Sequence, residues 1–286
     1  MDRHHNTLCG LTNPFCEEAK NAKLPDTGAG SSFTEAIRWV GGLTADSNGD
    51  LAAQFIPRMD APLLISSDMI NWNGNTNWLQ ATNSLANTYA EKIRVTTYGI
   101  RIISLLSAVD AKGSVALATG AQSDPVTPVR FSPDYYAKYD LHGISAASEW
   151  HMIGKPTSSA ATDMVEVTSD LYDNSGTPIP GWNNLFILCE GLPANTNCLR
   201  VEVVINFEYT IKTTTPLGKL QTPQPVFNPA MLTARNEVMN ELHHVVKGGK
   251  ASIEAHAKKE AKKALVKHVL PFLAKKGTKL AAGLLV

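Results

Sequence analysis

The sequence predicts an all-β fold: an eight-stranded antiparallel jelly-roll sandwich with one inserted short helix and α-helices gathered at the C-terminus. Three observations predict it. First, in "CLRVEVVINFEYTIK" every second residue from Leu199 to Ile211 is apolar, and the residues between are nearly all polar. That strict period of two gives a strand one greasy and one wet face. At about 3.3 Å per residue its fourteen residues would reach roughly 46 Å, more than twice the usual strand. Second, seven further strand-like runs occur without an alternating βα rhythm, which excludes a doubly wound sheet. Third, apart from one short insert, the apolar period switches towards helical spacing after residue 228.

Taken in order, residues 1–32 lack hydrophobic periodicity and include the turn-rich "LPDTGAGSS", so they read as an irregular arm. "TEAIRWVGGLT" and "GDLAAQFIPRM" are strands around "DSNGD", where Asn48-Gly49 signals a hairpin. "APLLIS" is a further strand piece. In "NWNGNTNWLQATNSLANTYAEKIR", Trp78, Ala81, Leu85 and Tyr89 recur at three and four, which predicts the inserted helix with Asn75, Thr76 or Asn77 as its cap. "VTTYGIRIISLLSA" and "GSVALATG" read as a strand pair around "VDAKG". Residues 121–160, rich in Pro and Gly, read as a long loop with a helical turn or two. "ATDMVEVTSDLY" and "WNNLFILCEGL" precede the long final strand.

Beyond the sheet, Asn228 is placed to cap a helix, Pro229 fits its first turn and Gly248-Gly249 would stop it. Its apolar stripe is Leu232, Val238, Met239, Leu242, Val245 and Val246. A second helix, capped by Ser252 and interrupted at Pro271, sets its Lys pairs against Ile253, Ala257, Ala261, Ala264, Leu265, Val269 and Phe272. The domains are therefore an arm (1–32), a shell-like sandwich (33–215), a linker with an amphipathic helix (216–249) and a basic amphipathic tail (250–286).

Charge separates these parts. The chain has 26 basic and 26 acidic residues, but ten Lys and only two Glu lie from Lys247 onward. A neutral total made of an acidic body and a basic end predicts an anionic partner for that end. The residues predicted to touch it are Lys258, Lys259, Lys262, Lys263, Lys267, Lys275, Lys276 and Lys279. No base-reading motif or aromatic platform accompanies them, so contact with nucleic-acid phosphates would be sequence-independent. The same amphipathic stretch, residues 251–286, has the composition of a membrane-surface helix. Its lysines break any membrane span.

Catalytic and metal chemistry find little in the sequence. "GISAAS" around Ser145 lacks the closing Gly of a nucleophile elbow. His142 and His151 have no carboxylate at a telling spacing, and both fall in the predicted loop. His4, His5, Cys9 and Cys16 lack the tight pairing of a zinc site. "DSNGD" starts like a calcium loop but has no closing Glu. Four cysteines (Cys9, Cys16, Cys189, Cys198) are too few for a disulfide framework, and no apolar leader opens the chain, so a reducing, soluble compartment is expected. No cofactor is expected. Asp134, Asp140 and Asp173 are the acidic loop residues open to an interface calcium ion, with no spacing that singles them out.

Four stretches resemble the capsid proteins of small icosahedral RNA viruses, above all the nodavirus-like group and more distantly the tombusvirus-like shells. "AEKIRVTTYGIRIISLLSAVDAKGSVALATG" is similar to that group's helix and central strand pair, and "GSVALATGAQSDPVTP" to the Pro/Asp turn that follows. "GWNNLFILCEGLPANTNCLRVEVVINFEYTI" resembles its final two strands, and "LPDTGAG" its lead-in. The likeness runs over residues 24–212 as an ordered series. It implies an eight-stranded jelly roll, a many-copy icosahedral homo-oligomer enclosing RNA, and location in the virion, with assembly in the host cytoplasm. Two departures follow. Residues 1–32 hold only Arg3, Lys20 and Lys23 as bases, so the C-terminal lysines would take over the RNA contact. The group's maturation needs an Asp in the lead-in, matched by Asp26, and an Asn-Ala bond before the tail. The chain's Asn21-Ala22 lies at the wrong end, so no such self-cleavage and no enzymatic activity are expected. The alternative from another class is a glycan- or receptor-binding jelly-roll module with a membrane-associating tail.

Overall fold

The computed structural model describes residues 2–25, 31–55, 57, 63–66, 73–74, 89–120, 138–146, 148–167, 179–211, 216–223, 228–241, 245–247, 250–269 and 271–272. The chain opens with helix α1 (Asp2–Thr12) and a 3₁₀ turn (Glu17–Asn21). Strands follow as β1 (Ser31–Thr44), β2 (Leu51–Phe55), β3 (Leu63–Ser66), β4 (Asn73–Gly74), β5 (Lys92–Ser104), β6 (Ser114–Gly120) and β7 (Lys138–Gly143). Next come β8 (Glu149–Ile153), β9 (Val165–Glu166), β10 (Asn184–Glu190), β11 (Asn197–Thr210) and β12 (Thr222–Pro223). Helix α2 (Pro229–Glu241), β13 (Val245–Lys247) and helix α3 (Lys250–Ala264) complete the described elements.

All pairings are antiparallel and build two sheets. The first runs β12–β1–β11–β5–β8–β13, with β9 also against β5; the second runs β4–β3–β2–β10–β6–β7. Their four-strand centres, β1–β11–β5–β8 and β2–β10–β6–β7, face each other. The chain neighbours β1/β2, β5/β6, β7/β8 and β10/β11 each divide between the sheets. This is the jelly roll the sequence predicts.

Two local expectations change with it. Asn48-Gly49 does form a turn, with Gly49 at φ +84 and Asp46 Oδ1 accepting from the Asn48 and Asp50 amides at 2.8 Å each. It carries the chain between sheets, however, so β1 and β2 are no hairpin; nor do β5 and β6 pair. A turn signal fixes where the chain reverses, while the hydrogen-bond partner is chosen by both sheets together. The stretch 121–160 is also more than loop. β7 and β8 lie within it, and β8 escapes periodicity because Trp150, His151, Met152 and Ile153 are all buried. Of "ATDMVEVTSDLY", only Val165–Glu166 is strand among the described residues. The predicted inserted helix at Trp78, Ala81 and Leu85 lies outside them.

The core fills the space between the sheets. Leu199, Val201, Val203, Ile205 and Phe207 are fully buried, with Tyr209 and Ile211 nearly so, as the alternation requires. Each such side chain stabilises the fold by about 1.5–3 kcal/mol. They meet Leu185 and Ile187 of β10, Leu51 and Phe55 of β2, and Val115 and Leu117 of β6 in one cluster. On β5 the inward set changes from Ile93 and Val95 to Tyr98, Ile100 and Ile102. The register slips there: Asn206 opposes Thr97 and Phe207 opposes Val95. One extra residue at Thr96 makes a bulge and flips the parity.

The described part of the expected irregular arm, residues 2–25 and 31–32, holds a helix and a 3₁₀ turn. Leu8 and Leu11 are fully buried and Cys9 nearly so, a spacing of three that a helix of only eleven residues barely displays. Gly10 is required where it stands, because a Cβ would come within 2.8 Å of the Glu18 carbonyl oxygen. Helices α1, α2 and α3 pack on one another, and α1 also touches β5. Met231 N–H donates to Asn228 Oδ1 at 3.2 Å, the expected cap. α2 buries Met231, Ala234, Val238 and Met239 but ends at Glu241. Val245 and Val246, expected on its stripe, instead pair with Met152 and His151 at the edge of β8. β-branched residues beside an open strand edge find more bonding there than in a fraying helix.

Candidate nucleic-acid interface

The outward face of the first sheet carries the helical layer, and its chemistry begins on β11. Along that strand the outward residues divide. Arg200 is exposed and Glu202 half-buried, whereas Val204, Asn206 and Glu208 are buried. Glu208 Oε2 accepts from Arg94 Nε at 3.0 Å and Nη2 at 2.7 Å and from the Leu24 amide at 3.1 Å. Its Oε1 accepts from Ser32 Oγ at 2.6 Å. Arg94 also donates to the carbonyls of Thr162 at 2.8 Å and Leu24 at 3.0 Å. Lys23 Nζ donates to the carbonyls of Ser32 at 2.6 Å and Thr222 at 2.8 Å. One buried, fully bonded ion pair thus ties the N-terminal segment to β5 and β11.

A second buried cation sits on α2. Arg235 donates to the carbonyls of Leu11 at 3.4 Å and Thr96 at 3.2 Å and lies 5.7 Å over the Trp182 ring. Burial, then the Arg94 charge, lowers its pKa to about 10, so it stays protonated at neutral pH.

Helix α3 is held above this layer. Ala257, Ala261 and Ala264 are buried, as are Leu265 and Val269 in the π-helical turn Leu265–Val269 that follows. These are the predicted apolar positions, and they are seated against α1 and α2 rather than displayed on a free tail. The opposite side exposes Lys258, Lys259, Lys262, Lys263 and Lys267. Two of the five are already engaged. Lys263 Nζ holds both Glu260 oxygens at 2.8 and 3.0 Å, and Lys267 Nζ reaches Glu237 Oε1 on α2 at 2.9 Å. His268 Nε2 closes on the other Glu237 oxygen. The hydrogen bonds from Lys267 and His268 hold the Glu237 carboxyl below its usual range, and Lys263 does the same for Glu260.

Lys258, Lys259 and Lys262 form no salt bridge among the described residues, although the Lys259 charge acts on Glu260. They occupy about 6 Å of helix axis, four residues at 1.5 Å each. Three cations in one turn suit a run of backbone phosphates. Lys275, Lys276 and Lys279 lie outside the described residues. Glu260 and Lys263 are a local i,i+3 pair, but the sequence could not show Lys267 engaged, since Glu237 is thirty positions away.

The remaining candidates are dispersed. His151 is buried, edge-on to Phe15 at 5.0 Å and 3.7 Å from Oε1 of Glu149, two residues earlier on the same face of β8. His142 sits on β7 beside Trp150, so strands do carry histidines here, though singly. Ser145 bonds Ser148 rather than either histidine. All four cysteines are buried and outside any disulfide, and burial pushes the Cys16 thiol up to about 12. Among the described residues no cluster of three or more His, Cys, Asp or Glu could hold a metal ion. Asp134 and Asp173 fall outside them, as does Asp26, and Asp140 is placed by its backbone on β7. No helix among the described residues is long and apolar enough to cross a membrane.

No family model matches the chain, and no curated protein matches it in sequence. Solved structures do match in fold. The infectious bursal disease virus T13 particle superposes with a TM-score of 0.61 at 9% identity, covering 93% of this chain and 98% of that one. The VP2 subviral particle of the same virus gives 0.60 at 11% identity, covering 91% and 99%. Its derived T=1 particle gives 0.60 at 9%, covering 92% and 96%. The chain has a capsid-type jelly-roll fold. These neighbours are not nodaviruses, so the nodavirus-like resemblance rests on the sequence patterns alone. The likeness takes in nearly the full length of both chains, so it extends past the sandwich to its terminal helices.

Proposed function

We propose that this chain is the structural subunit of a small non-enveloped RNA virus shell. Many identical copies would close around the genome in an icosahedral virion, after assembly in the host cytoplasm. The observation that carries the reading is the end-to-end fold likeness to subunits solved in closed particles. Repeated contacts between identical wedge-shaped sandwiches close such shells. RNA contact falls to α3, chiefly through Lys258, Lys259 and Lys262, joined by Lys275, Lys276 and Lys279. Lys263 and Lys267 serve first as clamps on Glu260 and Glu237. Membrane contact through residues 251–286 requires α3 to leave its seat, because its apolar side is buried against α1 and α2. The role is structural rather than catalytic.

Size-exclusion chromatography with absorbance at 260 and 280 nm tests this. A megadalton peak bearing nuclease-protected RNA is expected. A lone subunit under all solution conditions would overturn the reading and favour the receptor-binding module.

A further inference from the structure

Two carboxylates hold lysines of the basic helix, and they hold them differently. Glu260 lies on α3 itself with its side chain 11% exposed, and Lys263 Nζ alone spans both of its oxygens at 2.8 and 3.0 Å. Glu237 lies on α2, 28% exposed, and divides its oxygens between two partners. Lys267 Nζ donates to Oε1 at 2.9 Å, and His268 Nε2 donates to Oε2. Withdrawing Lys263 would strip a covered carboxylate of both these bonds, which is costly for a charge with little water around it. Withdrawing Lys267 leaves Glu237 bonded through His268.

The helix places Lys267 where it can be exchanged. Lys259, Lys263 and Lys267 stand four apart on one stripe, and 65% of the Lys267 side chain is exposed even while it is bonded. Lys267 lies about 7.5 Å along the axis from Lys262, five residues at 1.5 Å each. On an unbroken α-helix Val269, seven residues beyond Lys262, would join the lysine side. The π-helical turn Leu265–Val269 widens the helix there, and Val269 is fully buried. The same turn carries Lys267 and His268, so it seats the helix and sets two adjacent donors on one carboxylate.

We propose that RNA bound along α3 draws Lys267 off Glu237 and takes it as a fourth phosphate ligand beside Lys258, Lys259 and Lys262, while His268 keeps Glu237 partnered and the helix on its seat. Lys263 stays on Glu260 and takes no part. Glu237 thus holds one cation in reserve until the polyanion arrives. A lysine–carboxylate pair this open to water contributes little, so a phosphate replaces the carboxylate at small cost. His268 is a positioning residue: it touches no phosphate and acts through Glu237. The inference rests on the nucleic-acid reading of α3 and says how that site gains its next charge.

The test reads the salt dependence with which the full-length chain binds a single-stranded oligouridylate of about 20 nucleotides, each phosphate-bound cation adding about 0.7 to the log–log slope. Lys267→Gln should lower the slope by about 0.7, and Lys263→Gln by less than half as much. In a His268→Ala background Lys267 is the one cation left on Glu237 among the described residues, and Lys267→Gln should no longer change the slope. His268→Gln, which keeps an amide donor, should restore the effect. Glu237→Gln should leave the slope as it is and tighten binding up to about fivefold, because RNA no longer displaces a partner. A slope that rises by about 0.7 in Glu237→Gln would show Lys267 locked in the native chain and overturn the proposal. That measurement stands even if His268→Ala loosens α3. Equal losses for Lys263→Gln and Lys267→Gln also overturn it. If Gln at Lys258, Lys259 and Lys262 lowers the slope and Lys267→Gln does not, the exchange falls and the nucleic-acid reading stands. If neither lowers it, both fall.

Discussion

The two halves of the outward face of β11 have the same alternating sequence and opposite surroundings. Towards β10, Arg200 and Glu202 meet solvent, and Glu202 shares Arg38 at 2.7 Å and Arg101 at 3.6 Å in half-exposed pairs. Towards the C-terminal end, Asn206 and Glu208 are sealed beneath the N-terminal segment and the helices. A carboxylate in the first half exchanges water for a partner at little gain. In the second half it must have every bond filled, and Glu208 accepts four among the described residues. The difference lies wholly in what folds over the strand.

The comparison breaks most sharply at its ion pairs. Glu208→Ala should destabilise the subunit by about 3–5 kcal/mol, because Arg94 is left buried without its counter-charge. Glu202→Ala should cost about 0–1 kcal/mol in the same urea titration. Equal losses would mean that the roof over Glu208 is open in solution. The roof itself is tested next. Ala261→Leu, at a fully buried position on α3, should cost about 1–3 kcal/mol by overpacking. No loss would show that α3 is not seated on α1 and α2.

A smaller effect separates the lysines. Gln at Lys258, Lys259 and Lys262 together should lower the salt dependence of RNA binding by about 2–3 in log–log slope, at roughly 0.7–0.9 per charge. Gln at Lys263 and Lys267 should change it less, and a larger change there would reverse the division.

The smallest effect is expected in acid. Lys267 and His268 depress the Glu237 carboxyl, so the folded protein binds that proton more weakly than the unfolded chain. The stability it contributes is present above the ordinary value of 4.5 and is lost as pH falls through the lower folded value. Glu237→Gln should flatten the decline below pH 4.5 and leave the neutral range without slope from this group. An unchanged acid limb would place the pair outside the folding balance.

Much of the sandwich is legible in the residues themselves. Leu199 to Ile211 declare their face because one side of β11 meets core along its whole length. β8 is silent because both its sides are buried, which erases the alternation that marks a strand. The helix at Asp2–Thr12 is silent for another reason: its apolar residues are few, and Gly10 weakens the pattern while serving a close approach to Glu18. On α3 and the turn after it the lysines stand out at helical spacing, yet the engagement of Lys267 depends on Glu237 of another helix.

What the sequence by itself determined is local and periodic: which strands exist where one face is wet, where the chain turns, and which helix is basic on one side. These follow from side chains sorting between water and core at fixed spacings of about two and 3.6 residues. What only the tertiary structure decided is who covers whom. The cross-sheet turns, the roof over Asn206 and Glu208 and the seat of α3 all depend on residues far apart in the chain, and no local spacing records that proximity.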